Sequence, residues 1–234
     1  MNGHALLTLQ LLDTKLDALD GRRKRLPERA LLDAAKAECS ALTKERARLQ
    51  AMVDAAYASI DQAEVAGAEL DTKQRRLDGQ LKTVIAPREA EALMHEIELL
   101  KSKHALLDDA ELEAMEQQGE AENAMALLAE REPDLLAALA TAQSALDAAE
   151  AEIAADVAGV MSERGVASEA VSEGEVSLYA SLKARHGGVG IAQLERHTCT
   201  GCHVDLSQVE YEAVVHAPAG ELPECPHCGR LVVV

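Results

Sequence analysis

The sequence predicts a mainly α fold, a long antiparallel coiled-coil helical hairpin followed by a small C-terminal β ribbon. Three observations lead there. The 234 residues contain no Trp, no Phe and only three Tyr, although large aromatics supply much of the buried area of globular cores. Two runs of apolar residues repeat every seven positions on either side of a proline. Four of the five cysteines fall in two Cys-x2-Cys pairs near the end of the chain. A composition dominated by Ala, Leu and Glu without aromatics is that of long helices.

The first seam starts at Leu42 and steps through Leu49, Ala56, Ala63, Leu70, Leu77 and Val84. Its companion position, four residues on, gives Val53, Ile60 and Leu81 and fails at Arg46, Gly67 and Gln74. The second seam runs from Leu93 to Ala149 in steps of seven, with Ile97, Met125, Leu139, Leu146 and Ile153 as companions. Sustained heptads of this kind mark a coiled coil. Between them lies TVIAPRE, where Pro87 lacks the donor that a helix interior needs and biases Ala86 away from helical dihedrals. One helix should end there and the next begin, with Glu89 and Glu91 complementing its dipole. A parallel homodimer is the alternative pairing; a proline turn between seams of similar length favours the hairpin. Arms of about 60–75 residues at ~1.5 Å per residue would each be roughly 90–110 Å long.

Weak points are expected along the arms. Gly21 and Pro27 flank RRKRL, where the first helix should kink or restart, and Pro133 should kink the second arm. After about Val160 the stretch MSERGVASEAVSEGEV signals a connection. SLYASLKARHGG then predicts one short helix closed by Gly187 and Gly188. The expected division is a hairpin over residues 1–165 with its turn near 84–90, a connecting helix and linker over 166–196, and a ribbon over 197–234.

The ribbon holds Cys199, Cys202, Cys225 and Cys228, with 22 residues between the pairs. Two residues between thiolates let one tight turn present both sulfurs to a single ion, and two such turns complete a tetrahedron for zinc. A segment of about 38 residues whose only aromatic is Tyr211 cannot be held by burial alone, so metal binding supplies its folding free energy. One structural Zn2+ is expected, with no position open to water. A redox dithiol, or a ligand drawn from His197, His203 or His227, is the weaker reading beside four matched cysteines. Cys39, alone on the first arm, reads as a small packing residue.

Other chemistry is missing from the motifs. No phosphate-binding loop, nucleophile elbow or dinucleotide fingerprint occurs, and thin helices with a closed ribbon offer no pocket, so neither catalysis nor a small-molecule substrate is expected. No run of about 18 apolar residues and no signal-peptide pattern is present, which points away from a membrane and toward the cytoplasm. That compartment is reducing, which also favours metal-bound over disulfide-bonded cysteines.

Charge is uneven. The net charge is −18, and it arises wholly after residue 103: the first 103 residues hold 17 basic and 17 acidic side chains, the rest 6 and 24. Two basic clusters stand out. Arg22, Arg23, Lys24, Arg25 and Arg29 form one; Lys73, Arg75, Arg76, Lys82 and Arg88 form another near the hairpin turn. On a coiled coil such runs are usually the solvated face, and here they are also the candidate contacts to phosphates or to an acidic protein. From His197 to Val234 the only basic residue is Arg230, against five acidic ones. That surface should repel a phosphate backbone.

With PREAEALMHEIELLK at the turn, LYASLKARHGGVGIAQLERHTCTGCHVDLS leading into the first cysteine pair, and CPHCGRLVVV at the end, the chain resembles the bacterial C4-type zinc ribbon family, which joins a coiled-coil hairpin to a C-terminal zinc ribbon. The resemblance implies zinc on the four paired cysteines. It also implies a nucleic-acid-binding or regulatory role, since some members in motile bacteria are linked to flagellar gene expression through an alternative sigma factor and to RNA. The residues themselves favour a protein-interaction adaptor, in which the zinc ribbon and the hairpin hold a protein partner and the acidic arm selects something basic. A nucleic-acid-binding regulator, touching RNA or DNA through the basic clusters, is the alternative.

Overall fold

The computed structural model describes residues 2–218 and 221–234. Met1, counted in the expected hairpin, and Ala219 and Gly220, counted in the expected ribbon, lie outside the described residues. Three long helices come first: α1 (Gly3–Lys24), α2 (Pro27–Leu81) and α3 (Pro87–Glu169). A short helix α4 (Glu173–Arg185) leads into β1 (Ile191–Glu195), β2 (Thr198–Cys199), α5 (Gln208–Val215) and β3 (Leu231–Val233). The chain forms two compact units, one made of residues 1–30 with 143–234 and the other of residues 31–142. The boundaries expected at 165 and 196 both fall inside the first unit.

Prolines set the helix starts. Pro27 and Pro87 occupy the first positions of α2 and α3, where the missing N–H is no loss and the fixed φ suits the helix. Between α1 and α2 only Arg25 and Leu26 are non-helical. Pro133 lies inside an unbroken α3. That helix also runs past Val160 to Glu169, which corrects the expectation of a connection there: small polar residues in MSERGVASE keep adequate helix propensity, and Arg164 and Ala167 find partners in the first unit. The actual break is Ala170–Ser172. Ser172 starts α4 with a capping box, its hydroxyl accepting from the Glu175 N–H while Glu175 accepts from the Ser172 N–H.

In the unit of residues 31–142, α2 and the first part of α3 pair along the two seams. Leu49, Val53 and Ala121 form one buried cluster, and Leu77, Ile97 and Leu100 another. Two interruptions of the first seam, Arg46 and Gly67, face polar residues of α3. Arg46 reaches Glu132 at 3.3 Å, and the buried Gly67 leaves room for the ring of His104, which lies 3.6 Å from where a glycine Cβ would stand. His104 in turn contacts Asp71 at 3.3 Å and Asp108 at 3.0 Å. Cys39 is half-buried there, with its sulfur 3.8 Å from the Leu135 carbonyl.

In the other unit, α1 packs on α4 and on the sheet. Leu6, Leu9, Tyr179, Leu182, Ile191, Leu231 and Val233 make one core. The sheet order is β2-β1-β3, with β1 antiparallel to β2 and parallel to β3. Residues 191–195, assigned to the linker from sequence, are thus its central strand. The gap between the cysteine pairs contains α5, an element not anticipated, capped by Ser207 and Glu210 in the same reciprocal way as α4.

Candidate metal centre

Both cysteine pairs sit in tight turns of the same design. In the first, His203 N–H donates to the Cys199 carbonyl at 2.8 Å; in the second, Gly229 N–H donates to the Cys225 carbonyl at 2.8 Å. Each of these following residues has positive φ, 56° at His203 and 70° at Gly229. The chain then turns back on itself, so that Cys199 N–H meets the Val204 carbonyl at 3.1 Å and Cys225 N–H meets the Arg230 carbonyl at 2.8 Å. Left-handed backbone costs glycine little and other residues about 1–2 kcal/mol, which is why the sequence offers Gly at 229.

The two turns converge. One sulfur from each of Cys199, Cys202, Cys225 and Cys228 lies within 4.8 Å of every other, and Cys202 and Cys225 sulfurs are 3.9 Å apart. A tetrahedron with Zn–S near 2.3 Å requires sulfurs about 3.8 Å apart, so the four side chains fit the ion, and all five cysteines are free thiols. Cys199 and Cys225 are buried, packed with Ala192, Leu194, Leu206, Val214 and Val232. Burial pushes the Cys225 thiol up to about 12 and raises Cys202 as well. At Cys228 burial also pushes upward, but hydrogen bonds from the Arg230 backbone N–H and side chain outweigh it and hold the thiol below its ordinary value. Zinc converts such thiols to thiolates outright when bound. With four protein sulfurs the coordination is closed, and the role is structural.

Side chains whose partners the sequence did not reveal tie this ribbon to the helices. Arg230 donates to the Val189 carbonyl at 2.9 Å and to the His186 carbonyl at 3.0 Å. Gln10, buried on α1, donates to the Gly188 carbonyl at 2.9 Å and accepts from the Gly190 N–H at 2.8 Å. At Gly190 a Cβ would stand 2.8 Å from backbone atoms of Tyr179 and Lys183, so the strand enters against α4 only because that residue lacks one. Asp13, 5% exposed, accepts from the Tyr179 hydroxyl at 2.8 Å and from Arg164 Nε at 2.6 Å, with Lys183 Nζ at 3.2 Å. Burial alone would raise its carboxyl; hydrogen bonds from Arg164, Tyr179 and Lys183 prevail and lower it. Gln10 and Asp13 were legible only as polar residues inside the apolar run LLTLQLLDTKL.

The basic clusters differ in availability. Arg22 pairs with Glu152 at 3.3 Å and Asp156 at 3.8 Å. Arg23 and Lys24 share Asp20, and Arg29 holds Glu150. Arg25 is exposed. Near the turn Lys73 lies 3.9 Å from Glu69, whereas Arg75, Arg76, Lys82 and Arg88 are all exposed; no ion pair of these four occurs among the described residues.

A helical hairpin that carries four clustered cysteines in paired turns defines a class, the coiled-coil hairpin proteins with a structural C4 zinc ribbon. The chain matches the CT398-like coiled coil hairpin domain over residues 9–187 and the C4-type zinc ribbon domain over residues 198–232. It belongs to the CT398-like coiled-coil hairpin family. An uncharacterized protein of Mycobacterium tuberculosis is 28% identical over 233 residues, covering 98% of this chain and 94% of that protein. A solved structure from Mycobacterium smegmatis is 25% identical with a TM-score of 0.79, covering 99% of this chain and 97% of the other. CT398 from Chlamydia trachomatis, at 19% identity and a TM-score of 0.81, covers 98% and 97%. The HP0958 protein from Helicobacter pylori, at 17% and 0.62, covers 99% and 96%. The last two are alike in fold. Among the described residues no helix is long and apolar enough to cross a membrane.

Proposed function

We propose that the protein is a non-enzymatic adaptor in which the zinc ribbon is a structural anchor and the hairpin turn engages an acidic protein partner. The observation that carries this reading is Ile85, 95% exposed in the segment joining α2 to α3. The turn around it is hydrogen-bonded. Val84 N–H donates to the Gln80 carbonyl at 3.1 Å, and Glu89 N–H to that of Ala86 at 3.1 Å. A large aliphatic side chain held out on a hydrogen-bonded turn has nothing to gain from phosphates. Beside a protein pocket it gains the burial that it lacks here. Lys82 and Arg88 flank it and Arg75 and Arg76 lie on the last turns of α2, so a complementary partner presents carboxylates around an apolar pocket.

The non-enzymatic part rests on the closed cysteine set and on helix-pair grooves in which, among the described residues, no nucleophile and base are in contact. The alternative, nucleic-acid binding, draws support from the same four exposed basic residues. Against it stand the acidic ribbon, whose Arg230 is spent on backbone carbonyls, and the first basic cluster, whose charges are largely met by carboxylates.

Affinity capture with the full-length zinc-loaded chain tests the reading. The wild type retains a protein partner after nuclease treatment, and Ile85→Asp, which leaves thermal stability unchanged, loses it. Equal capture by both chains, or release by nuclease, would overturn it.

A further inference from the structure

We infer that one face of the α1/α3 pair in the first unit is an interface between two copies of this chain, arranged about a dyad parallel to the helices. The face is a groove in two stretches, one of about 580 Å³ and one of about 610 Å³, which share Lys15 and Glu163. Its floor is apolar and open: Leu11 is 63% exposed and Val166 69%. In the middle lie Ala18, Ala155 and Gly159. A Cβ at Gly159 would meet nothing within 4 Å among the described residues, so the middle of the groove is open to an approaching helix.

The charges on the two walls name the occupant. The α1 wall carries Lys15 and Arg22, the α3 wall Asp156 and Glu163. The helices run antiparallel in register, since Asp13 meets Arg164 and Arg22 meets Asp156; Lys15 is therefore level with Glu163. Both are exposed, and neither forms an ion pair among the described residues. When two such faces meet about a dyad along the helices, α1 of each copy lies on α3 of the other at the same height. Lys15 then stands opposite Glu163 of the second copy, a contact that occurs twice. A dyad across the helices would set α1 on α1, basic against basic. The result is a four-helix layer around Leu11, Leu12, Val160 and Val166. Size agrees as well. The 22 residues of α1 span about 33 Å, and two helices side by side cover about 20 Å. That footprint of about 660 Å² per copy is close to the roughly 800 Å² of a specific interface.

Sedimentation velocity on the full-length zinc-loaded protein from about 1 to 100 µM tests this. The mass is expected to rise from 24.9 kDa toward twice that value, less so in high salt. Lys15→Glu and Glu163→Lys should each weaken association about tenfold or more. Combining the two substitutions in one chain should restore it, because the introduced carboxylate then faces the introduced ammonium across the dyad. Both positions are at the surface, so circular dichroism melts of the variants should match the wild type. A monomer at 100 µM overturns the inference and leaves the groove to a helix of another protein. A dimer indifferent to the single reversals, or one that the double swap fails to restore, places the interface elsewhere and overturns it equally.

Discussion

The Tyr179 hydroxyl donates to the Asp13 carboxylate at 2.8 Å, across 166 residues of sequence. This bond joins α1 to α4, on the element that delivers the chain into the central strand of the ribbon. Removing either partner should therefore loosen helix and ribbon together. Tyr179→Phe is expected to cost about 1.5–3 kcal/mol, the value of one hydrogen bond to a charged acceptor. Asp13→Ala should cost more, about 2–4 kcal/mol, because Arg164 and Lys183 are left half-buried beside an apolar methyl. Urea unfolding followed by exchange protection in α1 and β1 measures both.

The same carboxylate gives the first unit an acid limit. The folded pKa of Asp13 is lowered, while the unfolded value is about 3.9. Its contribution is thus complete above about pH 4 and is lost as pH falls through the folded value. A pH scan of the wild type should show this loss below about pH 4, and Asp13→Asn should flatten it.

His104 works in the opposite sense in the other unit. Asp108, hydrogen-bonded to it, and Asp71, across the seam, raise its pKa. The stabilisation is then fully present below the unfolded value of about 6.5 and disappears as pH rises through the higher folded value. Histidine proton NMR should find His104 titrating above the ordinary histidine value of about 6.5, and Asp108→Asn should lower it.

Chelation of zinc should dissolve more than the ribbon. Ile191, Leu231 and Val233 pack on Leu6 and Leu9, so loss of the cysteine cluster uncovers α1 as well. Protection against hydrogen exchange should vanish in α1 and the strands while residues 31–142, which hold no ligand, keep theirs and most of the helical ellipticity remains. Cys225→Ser should reproduce the pattern, with metal content well below one zinc per chain.

The heptad seams and the cysteine pairs were open to reading because each repeats a local rule: apolar side chains every seven residues, thiols every three. Pro87 and Pro27 announced the helix starts for an equally local reason. α5 escaped because QVEYEAVV is too short to show a period, although the Ser207–Glu210 spacing was a start signal, as was Ser172–Glu175 for α4. The continuation of α3 to Glu169 was hidden by small residues that serve helices and linkers alike. Asp13, Gln10 and Arg164 could not be paired from sequence, since their contacts span more than 150 residues. Arg46 with Glu132 illustrates the middle ground: Arg46 was visible as a flaw in its seam, and only folding revealed that Glu132 answers it.

The reading of the turn as a protein contact, not a phosphate contact, is tested most directly by fluorescence anisotropy of the zinc-loaded protein with mixed single-stranded RNA and with duplex DNA at two salt concentrations. The expected result is no salt-sensitive binding, at low salt or high. Binding that falls steeply with salt and disappears when Arg75, Arg76 and Arg88 are changed to Glu would contradict it and establish the hairpin turn as a nucleic-acid contact.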